Sequence, residues 1–313
     1  MTSPMTIAAT AKSVKWGFFD STTQPIVHVK SGTEVIIETV SGEPNCMPPE
    51  GMFEILPEHP EVLKDCERGP GPHLLTGPVY VEGAMPGDVL EVDIIDITLR
   101  QNWGFNLIIP LLGTIPEDFP DFVLKFLPID KQAKTTTLPW GGVLPLDPFF
   151  GVMGVAPPPN WGRISSIMPR AMGGNMDNKD LRPGTKVYFP VFNEGALFSV
   201  GDGHGVQGHG EVSITALETA LTGHFRFTVR KDMKLTAPRA ETPTHYMTMG
   251  FDEDLDDAVR QALRDMIRWL GDIRGLSAND AYALCSLAGD FHVTQMVNVI
   301  RGSHCMIPKS ILK

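Results

Sequence analysis

The densest group of side chains able to do chemistry is Gly201-Asp-Gly-His-Gly-Val-Gln-Gly-His-Gly-Glu211, where glycines alternate with Asp202, His204, His209 and Glu211. In extended backbone, positions i and i+2 point to the same face. Asp202 and His204 are therefore expected on one face, and His209 and Glu211 on another. A turn through Gly205-Val-Gln-Gly208 would let the two pairs converge from adjacent arms. Carboxylates and imidazoles gathered in this way suit Zn²⁺ or a similar divalent ion, and glycine lets backbone and substrate approach closely. The alternative is a glycine-rich hairpin whose polar side chains face water. A hairpin needs only one or two glycines, however, and here four potential ligands alternate with them. A phosphate loop is excluded, because no Gly-Lys-Ser/Thr ending follows.

Two further segments carry candidates. Gly173-Gly-Asn-Met-Asp177 is a tight glycine turn displaying Asn175 and Asp177. It can supply a metal ligand or hydrogen bonds to a substrate carbonyl, and equally it can be an Asx-type turn. Gly69-Pro-Gly-Pro-His73 sets His73 after a rigid run, and Glu82 ends the mostly apolar Thr76-Gly-Pro-Val-Tyr-Val-Glu82. By itself such a carboxylate reads as a solvated outer-face residue. No G-x-S-x-G elbow occurs. Ser165-Ser166 lacks the glycine-rich surroundings and partner lysine of a serine amidase, and none of the four cysteines lies in an activating motif. If the chain hydrolyses anything, water on a metal is the remaining nucleophile.

The elements that must position these residues are mostly strands. The 31 glycines and 27 prolines punctuate the chain into short segments. Ser31-Gly32-Thr33, Pro86-Gly87-Asp88 and Pro183-Gly184-Thr185 each read as a turn before an alternating strand, over 34–40, 89–94 and 186–191. Leu90, Val92 and Ile94 alternate in one frame and Ile95, Ile97 and Leu99 in the other, which predicts a β-bulge at Ile94/Ile95. Residues 100–160, rich in aromatics and proline, read as long excursions that wall a site. Helical spacing of Leu255, Val259, Ala262, Leu263, Met266, Ile267 and Leu270 predicts a helix stopped by Gly271. A second follows from Ser277, with Asp280 in capping position, to Gly289. The expected class is α+β, predominantly β, as one unit over 1–313, with β-rich 20–235 and helical segments 252–271 and 277–288.

Composition narrows the function. A net charge of −11 argues against a nucleic-acid or acidic-membrane partner. Cys46, Cys66, Cys285 and Cys305 have neither zinc-finger nor disulfide-scaffold spacing. With no leader-like start and no apolar run of about 18 residues, a cytoplasmic location without a membrane span is expected.

The same motifs resemble the acetamidase/formamidase family. The resemblance runs from Gly69–His73 through Thr76–Ala84 with Pro86-Gly-Asp88, then Gly173–Leu181, Pro190-Val-Phe and Gly201–Glu211, to Pro308-Lys-Ser-Ile-Leu312. It implies a β-rich fold, a metal-bound site, a homo-oligomer (dimer or higher), and hydrolysis of small carboxamides to carboxylate and ammonia; some relatives act on lactams. Two positions depart from the family pattern: His209 replaces a second Asp, and Met172 stands where many members carry His. On this basis a divalent ion, zinc or alternatively calcium, is expected on Asp202, His204, Asp177 and His209. Glu82 or Glu211 would move the proton, Asn175 would donate to the oxyanion, and His73, Gln207 and Gly174 would meet the substrate. The rival readings are a metal-dependent lactamase and a non-catalytic binding protein with a structural Ca²⁺.

Overall fold

Two sheets packed face to face hold the core of the computed structural model, which describes residues 4–312. A nine-stranded sheet is centred on Val89–Leu99 and Leu221–Arg230, joined antiparallel. A seven-stranded sheet runs in the order Gly173–Asn175, Phe149–Gly154, Phe198–His204, Leu74–Glu82, Val14–Trp16, Glu67–Arg68, with Val27–Lys30 as its seventh strand, parallel to Leu74–Glu82. Alternation along the strands explains the packing: Leu90, Val92, Ile94, Phe225 and Phe227 from the first sheet meet Val79, Val81, Phe150, Val152, Phe198 and Val200 from the second. Phe198 contacts Phe225 and Phe227 with ring centroids 6.0 and 5.1 Å apart. Each phenyl removed from water contributes about 1.5–3 kcal/mol, so this aromatic seam fixes how the sheets face each other.

The turns form where sequence placed them, with Gly32, Gly87 and Gly184 all at φ 90° before their strands. The bulge is real: Phe225 pairs with Ile94 and His224 with Asp96, leaving Ile95 as the extra residue. The 100–160 segment differs from the expected excursions. Trp103–Ile108, Val123–Asp130, Thr135–Thr137 and Val143–Pro145 form a sheet of their own, and Phe149–Gly154 lies inside the seven-stranded sheet.

A helix spans Leu255–Arg274, capped by Asp254, whose side chain accepts from the amides of Asp256 and Asp257. It runs through Gly271 and ends at Gly275, φ 65°. An interior glycine costs only about 1 kcal/mol, too little to stop a helix still packed on the sheet, whereas the left-handed conformation at Gly275 does stop it. The buried stripe is Ala258, Ala262, Asp265, Met266, Trp269 and Leu270, with Leu263 and Ile267 half-buried at its flank. The second late helix, Ala278–Ala288, is capped by Ser277 as expected. A short helix at His59–Asp65 was not foreseen. Among the described residues no helix is long and apolar enough to cross a membrane.

Candidate active site

Adjacent strands of the seven-stranded sheet bring the candidates to one end. Asp202 and His204 lie on Phe198–His204, His73 precedes the neighbouring Leu74–Glu82, and Asn175 and Asp177 follow from Gly173–Asn175 two strands away. Glu218 joins them through bridges to both His204 and Phe105, linking this sheet to the four-stranded one. At the centre is His204 Nε2, 3.2 Å from Asp202 Oδ2 and Glu218 Oε1, and 3.9 Å from Asp177 Oδ1 and Glu211 Oε1. His204 is fully buried, with Phe149 edge-on to its ring.

The His204 tautomer follows from a chain of hydrogen bonds. Gln207 donates from Nε2 to the Asp177 carbonyl at 2.8 Å, which fixes its amide orientation. Its Oε1 is then left to accept from His204 Nδ1–H at 2.9 Å. Nε2 is therefore the lone-pair nitrogen of the neutral ring, and it faces four carboxylates. Asp177, Asp202 and Glu211 all have left-handed backbone, at φ 46°, 58° and 45°. Such conformations are costly for residues with side chains and cluster at functional sites.

Four carboxylates enclosed around one imidazole cannot all stay ionised without a cation. Burial and then the Asp177 charge push Glu211 well above the ordinary carboxylate range, and burial lifts Glu218 to about 7. Burial also raises Asp177, against the opposing pull of His204. Burial alone would raise Asp202 as well, but His73 and His204 hold it well below its usual value. His204 would be pushed down by burial, yet Glu218 and Asp202 override this and raise it, so without a cation its Nε2 favours a proton, the position a bound cation would take. Asp177 Oδ1, His204 Nε2 and Glu211 Oε2 are buried without a hydrogen-bond partner. Orphaned donors of this kind, in a mixed oxygen and nitrogen set, fit a divalent cation.

These residues floor a cavity of about 410 Å³. Phe105, Leu107, Ile109, Leu112 and Phe122 supply an apolar wall, and His73, Asn175 and Asn298 supply polar groups. His73 Nδ1 is 2.8 Å from the buried Ser166 hydroxyl, and its Nε2 is 3.9 Å from Asp202 Oδ2. Asn175 donates from Nδ2 to the Ile167 carbonyl at 3.3 Å, leaving its Oδ1 buried and unpartnered. Asn298 donates to Asp177 Oδ2 and holds that carboxylate in place.

Four expected members lie outside this cavity lining: Glu82, His209, Gly174, and Gln207, whose amide orients His204 instead of meeting the substrate. Glu82 is exposed at the far end of its strand, about 26 Å from the His73 end at the usual rise per residue. It takes no part in the cluster. His209 does not share a face with Glu211: residues 209–211 are not a strand, and Gly210 (φ 101°) and Glu211 turn through left-handed backbone, so the i, i+2 rule does not apply. His209 packs instead against His292 and His304. Gly174 is buried within the short strand before Asp177 and is absent from the cavity lining. Sequence reasoning missed Glu218, Ser166, Asn298 and Gly151. Only Glu218 carries a visible signal, as a lone acid within Ala216-Leu-Glu-Thr-Ala220.

Comparison with known proteins agrees with this architecture. The sequence pattern described as the Acetamidase/Formamidase family matches residues 64–163 and 161–313. The chain belongs to the acetamidase/formamidase family. Among family members of known structure, an acetamidase from Bacillus halodurans superposes with a TM-score of 0.84 at 33% identity, covering 97% of this chain and 98% of that one. A formamidase from Methylophilus methylotrophus is 27% identical over 301 residues, 72% of this chain and 74% of the relative. A gamma lactamase from Delftia acidovorans, at 24% identity and a TM-score of 0.64, shares the fold.

Proposed function

We propose that this acetamidase/formamidase family member hydrolyses small carboxamides to carboxylate and ammonia, with a divalent cation of the zinc class held by Asp177, Asp202 and His204, and with Glu211 and Glu218 beside it. The observation that carries the reading is His204 Nε2, locked as a lone-pair donor by Gln207 and ringed by four carboxylates. A nitrogen ligand at the centre disfavours Ca²⁺, which takes oxygen. A divalent cation bound there would polarise the amide carbonyl and lower the pKa of water.

The chain's own residues supply the rest. With a cation bound beside it, Glu211 would stand as a carboxylate, able to take the proton from the attacking water and hand it to the leaving nitrogen as the C–N bond breaks. Glu218, 3.2 Å from His204 Nε2, is a second carboxyl within reach of the reacting centre. The unpartnered Oδ1 of Asn175 is an acceptor, so it receives the substrate NH₂ instead of donating to the oxyanion. His73, held by Ser166, turns Nε2 toward Asp202 and orients the carbonyl.

The apolar wall favours one second reading, a bulkier or cyclic amide. An ammonia-release screen over formamide, acetamide and propionamide, with ring opening of a γ-lactam followed separately, distinguishes the two. Glu211→Gln should lower kcat by about 10²–10⁴-fold with little change in substrate affinity. A metal-loaded protein inactive on all four amides, or Asp202→Ala with full metal and full rate, would sink the proposal.

A further inference from the structure

Behind the loop that carries Gln207 and Glu211, three imidazoles meet. His292 and His304 face each other on the antiparallel strands Asp290–Gln295 and Arg301–Pro308, so their side chains leave the same face of the sheet. Their ring centroids are 4.9 Å apart and nearly parallel. His209 lays its ring on His292 at 4.6 Å and lies 5.3 Å from His304. One nitrogen from each ring lies within 4.8 Å of the others. Asp180 closes the group, with Oδ2 3.3 Å from His304 Nε2 and 3.6 Å from His209 Nε2.

Simple ring packing does not account for the details. His304 is fully buried, its Nδ1 is 2.7 Å from the Thr294 hydroxyl, and its Nε2 has no hydrogen-bond partner. An imidazole oriented through one nitrogen, with the other facing a carboxylate and two further imidazoles, is how metal-ligating histidines are held. Half-buried His209 and His292 leave a path from solvent.

We propose that His209, His292, His304 and Asp180 form a second binding site, nitrogen-rich and selective for a zinc-class transition-metal dication, separate from the carboxylate-rich centre. Three imidazoles and one carboxylate suit Zn²⁺, Co²⁺ or Ni²⁺ and not Ca²⁺ or Mg²⁺. Tetrahedral bonds of about 2.0–2.1 Å set ligand nitrogens about 3.4 Å apart, so small rotations of the two half-buried rings must draw the nitrogens together. The ion would clamp the 205–211 loop to the C-terminal strands. That seam already carries hydrogen bonds from the Gly210 amide to the Thr294 carbonyl and from the Met296 amide to the Gly210 carbonyl. Asn298, just beyond it, holds Asp177, so the clamp would steady both Glu211 and Asp177.

The test uses full-length protein stripped with chelator and titrated with Co²⁺, read by its visible absorption. Wild type should show two classes of bound Co²⁺, one with the intense bands of a four-coordinate, nitrogen-rich site. His292→Phe keeps the ring stack but removes the donor nitrogen, and should lose that class alone. Thr294→Val keeps every donor but frees the His304 ring, and should weaken that class by about 10–100-fold. Should His292→Phe fail to fold, Thr294→Val carries the same decision. Co²⁺ stoichiometry and spectra unchanged by these substitutions would overturn the proposal.

Discussion

Gly151 is the position where a single methyl group should disable the centre without touching a ligand. It lies on Phe149–Gly154 opposite Asp202, between the pairs Phe150↔Gly203 and Val152↔Gly201, and its carbonyl accepts from the amides of Met176 and Asp177. A Cβ built there would be 2.8 Å from His204 Cε1 and closer still to Asp177 Oδ1 and Asp202 Oδ2. Ordinary contact starts at 3.4 Å, so the two carboxylates would have to withdraw by about 1 Å. Asp177 cannot do so freely, because Asn298 holds it, and His204 is held by Gln207 and Phe149. Displacement of about 1 Å at a reacting centre costs about 100-fold in rate. The fold should survive: overpacking costs about 1–3 kcal/mol, and losing a glycine from the unfolded chain returns about 0.4–1 kcal/mol. The assay is kcat for ammonia release alongside metal content and Tm. Gly271→Ala, inside the C-terminal helix and remote from the site, is the control and should add up to about 1 kcal/mol of stability at unchanged rate. A Gly151→Ala protein with full metal and a rate within about three-fold of wild type would show that the space above Gly151 is not where chemistry happens.

Two further outcomes follow from the electrostatics. In metal-free protein the Glu218 carboxyl titrates near 7 when folded, against an ordinary value of 4.5, because burial penalises its charge. Between those values the folded chain keeps a proton the unfolded chain has released, so the stability of wild type relative to Glu218→Gln should fall as pH rises from 4.5 to 7. Thermal melts of the pair across that window with the opposite slope would refute it, and saturating divalent cation should flatten the difference. Cys46 lines the cavity, but burial and then the Glu43 charge push its thiol up to about 11. It stays protonated and a poor nucleophile, so iodoacetamide under native conditions should leave ammonia release largely intact; rapid loss that substrate prevents would point to a thiol nucleophile.

Much of the framework is legible because strands and turns announce themselves locally. Gly32, Gly87 and Gly184 mark their turns, and the frame change at Ile94/Ile95 marks its bulge, since each depends only on neighbouring backbone. The 100–160 segment hides its sheet for the same reason in reverse. Three of its strands, Val123–Asp130, Thr135–Thr137 and Val143–Pro145, are mostly half-buried or exposed, and Pro128 and Pro145 fall within the first and last of them, where proline argues against a strand. The helix end was misplaced because Gly271 and Gly275 look alike in sequence. Only packing against the nine-stranded sheet decides which one carries the left-handed turn.

The site shows where local signal stops. Glu82 and Glu218 are the same kind of residue in sequence, lone acids in apolar strand-like runs. The fold sends one to water and brings the other within 3.2 Å of His204 Nε2, through a bridge between segments that no spacing rule links. The i, i+2 argument expects Asp202 beside His204, and the two lie 3.2 Å apart although Asp202 itself is left-handed at φ 58°; the same argument fails for His209 and Glu211. The failure has a chemical consequence. Left-handed backbone at Gly210 and Glu211 sends successive side chains in different directions, so one loop feeds two clusters: Glu211 faces the four-carboxylate centre and His209 faces His292 and His304. A strain of roughly 1–3 kcal/mol at a residue such as Glu211 persists only where the surroundings over-determine it. The hydrogen bonds between Gly210 and the strand bearing Thr294 provide part of that constraint. The glycines of 201–211 therefore do more than give room to ligands: they let a short loop turn sharply enough to divide its donors between two centres.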